Sequence, residues 1–147
     1  MKVIVFFLLL AIAFSYDAGK AVEYARAHCK HYNSKYHNYA NQGGDCANFV
    51  SQCLKAGGLK LNDCSGWVDD KGCLPRVSDL KSCLKKKGWK SSNSFPKGFK
   101  AGYPVFVQAY GHAMIASHVS GKKVKICAHT TDRCDYEIGI AVTYFYK

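Results

Sequence analysis

Apolar residues recur at two different periods along this chain, and the change of period divides it. Up to about residue 90 they return every three or four positions, the spacing of one helix face. Asp17 stands where it can cap a first helix, with Ala18, Ala21, Val22, Ala25 and Cys29 along one side. A second helix starts at Cys46, with Phe49, Val50, Cys53, Leu54 and Gly57 on a common face. Gly57 and Gly58 end it. Ser78 is placed to cap a third, with Leu80, Cys83 and Leu84 inward and Gly88 at its end. Between these lie a tyrosine-rich stretch (Tyr32, Tyr36, Tyr39), a polar cysteine-bearing loop from Leu59 to Val77 that holds Trp67, and a loop from Ser91 to Gly102. Beyond that the pattern becomes that of strands: 103–109, 111–119, a turn at Ser120-Gly121, 124–129, and 138–146. Helices first and an antiparallel sheet after predict one α+β domain.

The start of the chain stands apart from this pattern. Lys2 precedes an apolar run from Val3 to Phe14, and Ala13-Phe14-Ser15 has the small-x-small form of a cleavage site. Residues 1–15 therefore read as a secretory signal peptide, leaving 16–147 as a single mature domain. The apolar run is too short to span a bilayer comfortably, and no later segment is apolar enough to do so. The protein is expected outside the cell, or in the lumen of a phagosome or lysosome.

Charge narrows the partners. The chain has 21 Lys and Arg against 10 Asp and Glu, a formal charge of +11. A secreted protein this basic is drawn to polyanions such as anionic cell-wall polymers or lipid. The charge is densest from Lys81 to Lys90, around Lys85-Lys86-Lys87, which reads as the solvated side of the third helix. Basic and aromatic residues do not alternate as in an RNA-binding module, so nucleic acid is not an expected partner.

Eight cysteines in an oxidising compartment suggest four bridges. Local spacing favours Cys64 with Cys73, flanking a polar loop, and Cys127 with Cys134, flanking a hairpin tip. Cys29, Cys53 and Cys83 remain: any two could pair, or all three could be buried thiols. If Cys46 is free, at least one more cysteine is unpaired. No C-x-x-C pair occurs, so no metal site is expected.

Cys46 carries the chemical signal. A cysteine in the first turn of a helix sits among backbone N–H groups that lack partners, and their partial positive charge favours the thiolate. That is one way a weak nucleophile is activated. Asp63-Cys64-Ser65-Gly66 imitates the pattern, but Trp67, Asp69, Asp70 and Gly72 follow it and make no amphipathic helix. Cys64 therefore reads as a bridged cysteine.

Residues 32–58, YNSKYHNYANQGGDCANFVSQCLKAGG, resemble the start of an amidase domain family of the papain-like superfamily, close to the NlpC/P60 and CHAP amidases. The likeness lies in the tyrosine-rich lead, the G-G-D-C, the N-F-V-S-Q and the closing A-G-G. Ala47 departs from it, where the family often has threonine, as does Cys53, where a small apolar residue is usual. GHAMI at 111–115 and AHTTDR at 128–133 resemble the family's histidine strand and its closing His-Thr-Thr-Asp segment.

The resemblance implies a papain-like fold with the nucleophile at a helix N-terminus packed on the sheet, and a cysteine amidase or peptidase without cofactor. In that reading Cys46 is the nucleophile and His112 the general base. His129 is the third, orienting group, with Asp132 as the alternative. Asp45 reads a free amine on the substrate, and Tyr39 lines the same cleft. The imidazole and the helix end raise the thiolate fraction, the imidazole then protonates the leaving amine, and the third group fixes its tautomer. The Cys46 N–H is a candidate oxyanion donor. The implied substrate is a bacterial cell-wall peptide, and the implied state a monomer. Two rival readings stand beside this one. A cationic binding or membrane-active protein would use all eight cysteines in four bridges. A Cys-His acyltransferase would pass the acyl group to an amine rather than to water.

Overall fold

A computed structural model describes residues 15–147. The expected signal peptide, residues 1–15, lies outside the described residues save for Ser15. Among the described residues no helix is long and apolar enough to cross a membrane. Within the described residues three helices come first: α1 (Ala18–His28), α2 (Cys46–Ala56) and α3 (Val77–Lys86). Six strands follow: β1 (Lys90–Ser92), β2 (Pro104–Val107), β3 (Ala113–Ser120), β4 (Lys123–Ala128), β5 (Arg133–Glu137) and β6 (Val142–Tyr146). They form one antiparallel sheet in the order β1-β6-β2-β3-β4-β5. The α+β architecture read from the change of period is the one observed.

Local chemistry explains most boundaries. The Asp17 carboxylate accepts the Lys20 N–H at 3.0 Å, capping α1 as expected. Ala21, Val22 and Ala25 are buried on its inner side. The third helix begins two residues earlier than a Ser78 cap would place it, with Arg76 at the cap position. Asp79 lies in its first turn and accepts the Trp67 N–H at 3.0 Å, tying the preceding loop to the helix. Two strands were not expected. β1 is three exposed or half-exposed residues on the sheet edge, and β5 is a mostly exposed edge strand with no apolar alternation.

α2 is the centre of the molecule. A one-sided apolar face predicts a helix half in water, yet every residue from Cys46 to Leu54 is buried. Its apolar side packs on the sheet, where burying a side chain such as Phe49 contributes about 1.5–3 kcal/mol. Its polar side is covered by loops whose backbone it satisfies. Ser51 Oγ donates to the Leu74 carbonyl at 3.3 Å and accepts the Leu74 N–H at 3.1 Å. Asn48 Nδ2 donates to the His37 carbonyl at 2.7 Å. Gln52 Oε1 accepts the Tyr24 hydroxyl at 2.7 Å from α1. Buried polar groups that are bonded in this way hold one arrangement of loops and no other.

The bridges differ from the local pairing. They join Cys29 to Cys134, 105 residues apart, and Cys64 to Cys83. Cys73 is turned into the core by a loop folded on Asp69, whose carboxylate accepts both the Lys71 and Cys73 N–H groups. Cys64 therefore meets α3 rather than its loop neighbour. Cys127 is enclosed on β4, while Cys134 sits on the edge strand beside α1. Cys46, Cys53, Cys73 and Cys127 are thiols.

Candidate active site

Two glycines set up the approach to α2. Gly43 and Gly44 have φ of +99° and +111°, a conformation that glycine adopts without strain. A Cβ on Gly44 would also press on Thr130 Oγ1 at 3.1 Å. The chain then enters the helix through Asp45. A capping aspartate usually turns its carboxylate onto the first N–H groups of its own helix, and this one does not. Its Oδ1 accepts the Tyr39 N–H and the Asn48 Nδ2, each at 2.8 Å. Its Oδ2 faces His129 Nδ1 at 2.6 Å.

His129 belongs to this buried knot. Its Nε2 bonds the His28 carbonyl at 2.8 Å, and its ring is stacked between Tyr32 and Phe49, each 3.9 Å between centroids. A carboxylate on one nitrogen and a carbonyl on the other leave neither ring nitrogen without a partner. The residue is 1 % exposed and Asp45 is 0 % exposed. Thr130, next in the β4–β5 turn, accepts the Asp45 N–H at 2.8 Å. The His-Thr-Thr-Asp segment thus locks the loop in front of α2.

The first turn of α2 is left free for the sulfur. The backbone N–H groups of Ala113, Ala47 and Cys46 itself lie around Cys46 Sγ and favour its thiolate. Ala113 is the first residue of β3, and His112 directly precedes it. Cys46 and His112 line one cleft of about 630 Å³, together with Gly43, Gly44, Met114 and Thr130. A cleft of this size suits a drug-sized ligand or a short peptide segment. Burial pushes the Cys46 thiol up, against those N–H groups, and pushes the His112 imidazole down. Both directions favour a neutral thiol beside a neutral imidazole, not the ion pair that the helix end alone suggested.

The structure therefore brings Cys46 and His112 together and sets the other expected residues elsewhere. Neither ring nitrogen of His129 is available to orient His112, because Asp45 and the His28 carbonyl take both. Asp45 is spent on Tyr39, Asn48 and His129 and does not reach the cleft surface. Tyr39 is buried, its hydroxyl on Asp69 Oδ2 at 3.1 Å and its ring against Trp67, away from the cleft lining. Asp132 Oδ1 accepts the Tyr32 hydroxyl at 3.0 Å, so it too supports the stack around His129.

Residues 15–100 match the family described as Putative amidase domain, more than half of the chain. The chain belongs to the Putative amidase domain family. Within the matched stretch lie α1, the two glycines, Cys46 and all of α2. A second comparison gives 44% identity over 59 residues with Uncharacterized protein YhbB of Bacillus subtilis (strain 168). That alignment covers 37% of this chain and 18% of the Bacillus protein, so the chain spans under a fifth of that relative's length. The crystal structure of Ly7917 aligns with 88% of this chain and 62% of its own, at 19% identity and a TM-score of 0.46. For the amidase family, membership supports hydrolysis of an amide bond as the class of reaction.

Proposed function

We propose that this protein is a secreted, papain-like cysteine amidase or peptidase that cleaves amide bonds in bacterial peptidoglycan, through an acyl-enzyme formed on Cys46. One observation carries the reading. The thiol stands at the N-terminus of a fixed helix, beside the backbone N–H of the strand that starts next to His112, and Cys46 and His112 line one cleft. The two bridges suit an oxidising compartment, and the basic surface suits an anionic cell wall.

The chemistry runs as a proton transfer followed by attack. Neutral His112 takes the Cys46 proton as the sulfur adds to the amide carbonyl. The N–H groups around Sγ, those of Cys46 and Ala47 at the helix start, are the nearest donors for the developing oxyanion. His112 then returns its proton to the leaving amine, and the C–N bond breaks. Water, deprotonated by His112, attacks the thioester and releases the acid and the thiol. Asp45 and His129 act from beneath. They hold the loop from which Cys46 projects and touch no substrate.

Digestion of purified peptidoglycan by the mature protein, with mass spectrometry of the fragments, tests this reading. New amine and carboxyl ends at one type of amide bond are expected, and none with Cys46→Ala. Undiminished release by Cys46→Ala would overturn it.

A further inference from the structure

The cleft around Cys46 and His112 has one permanently charged residue in its wall. That residue is Arg133, and no carboxylate among the described residues lines the cleft with it. Arg133 has no ion pair among the described residues, whereas Arg26 is paired with Asp135 at 3.2 Å. Its guanidinium lies 4.3 Å from the ring centre of Tyr136, which also lines the cleft and is 49 % exposed.

An irregularity in the sheet puts the two side chains there. Ile126 pairs with Tyr136 and Ala128 with Arg133, so two steps along β4 answer three along β5. In a regular strand Arg133 and Tyr136 would point to opposite faces. The extra residue brings both to the side of Ile126 and Ala128, which themselves line the cleft. Such bulges re-aim side chains beside active sites. This one is anchored at Cys134 and at Asp135, a residue at φ +49°. The Cys29–Cys134 bridge and the Arg26–Asp135 pair tie it to α1.

We propose that Arg133 selects substrates bearing a carboxylate next to the scissile amide, with Tyr136 holding the guanidinium face-on. The proposal rests on the amidase reading of Cys46 and His112 and adds the substrate's charge. It reverses the expectation for Asp45, which would have favoured a free amine. A guanidinium offers a carboxylate two parallel N–H donors, and an aromatic face keeps that fork oriented.

The test uses a soluble disaccharide-peptide from peptidoglycan with free α-carboxylates, and the same molecule with those groups converted to carboxamides. Binding of both is measured by calorimetry to the Cys46→Ala protein, with Arg133 intact and with Arg133→Gln. Cleavage of both is measured with the wild type. Arg133 is exposed, and circular dichroism checks that Arg133→Gln keeps the fold. The acid is expected to bind on the order of tenfold more tightly than the carboxamide, a preference that Arg133→Gln abolishes and Arg133→Lys restores in part. Equal binding of the two forms, no binding of either, or a preference that survives Arg133→Gln would each overturn the proposal. A preference for the acid, lost in Arg133→Gln, without cleavage of either form leaves the carboxylate site standing and ends the amidase reading. Cleavage of both forms at equal rates does the opposite.

Discussion

Cys46 and Cys53 lie on one helix, two turns apart, in the same apolar core. Their surroundings differ in two respects. Cys46 sits in the first turn, where nearby backbone N–H groups favour its thiolate, and it borders a cleft. Cys53 is wholly enclosed, with the Cys127 and Cys73 thiols as neighbours, and burial pushes its thiol well up. Helix position and access, more than residue type or burial, separate a sulfur that can react from one that only fills space.

The largest expected effect breaks the comparison outright. Cys46→Ala should lower kcat by a factor on the order of 10⁴ or more, with the thermal unfolding temperature little changed. Cys53→Ala should retain kcat and lose about 1–3 kcal/mol of stability, as a truncated core residue does. Activity assays beside urea unfolding separate the two. Equal activity of Cys46→Ala and wild type would contradict the assignment.

Next in size is the knot beneath the nucleophile. Asp45→Ala leaves the buried His129 ring without its carboxylate, and breaking a buried pair this way costs about 3–5 kcal/mol. Urea unfolding should show that loss. If His129 instead oriented His112 directly, His129→Gln would reduce kcat at unchanged stability. Cys64→Ala removes a bridge away from the cleft and should cost about 2–4 kcal/mol, with kcat retained while the protein is folded.

The smallest effect is on pH. His112 is a base only when unprotonated, and burial holds its folded value below the ordinary 6.5. The acid limb of kcat/KM should therefore fall below pH 6.5, with activity retained as pH rises through neutrality. The Cys46 thiol, pushed above its ordinary 9.0, should bring no loss until more alkaline pH. A bell centred below pH 6 would indicate the thiolate–imidazolium pair instead.

Much of this was legible in the sequence because it depends on neighbours in the chain. The Asp17 cap, the helix starting at Cys46 and the strand after His112 each follow from spacing within a dozen residues. The short edge strands β1 and β5 carry little burial, so no apolar alternation announces them. The bridges join residues that only the fold makes adjacent, as with Cys29 and Cys134. Asp45 was expected at the substrate because the resemblance gives the aspartate beside the nucleophile that role. Its real partners, Tyr39, Asn48 and His129, come from a loop, the helix and a distant turn. Arg133 entered the sequence reading only as the end of the AHTTDR segment, with no role of its own. It is one of 21 basic residues, and only the extra residue in β5 distinguishes it.

Mapping thiol reactivity tests the central contrast most directly. The native protein is treated with limiting iodoacetamide, and the alkylated cysteine is located by peptide mass spectrometry as activity is followed. Four thiols are present, and Cys46 borders the cleft while Cys53, Cys73 and Cys127 are fully enclosed. The expected result is label on Cys46 alone, with activity lost in proportion and a slower reaction in His112→Ala. Label spread over the four thiols, or Cys46 fully alkylated with activity intact, would contradict the account.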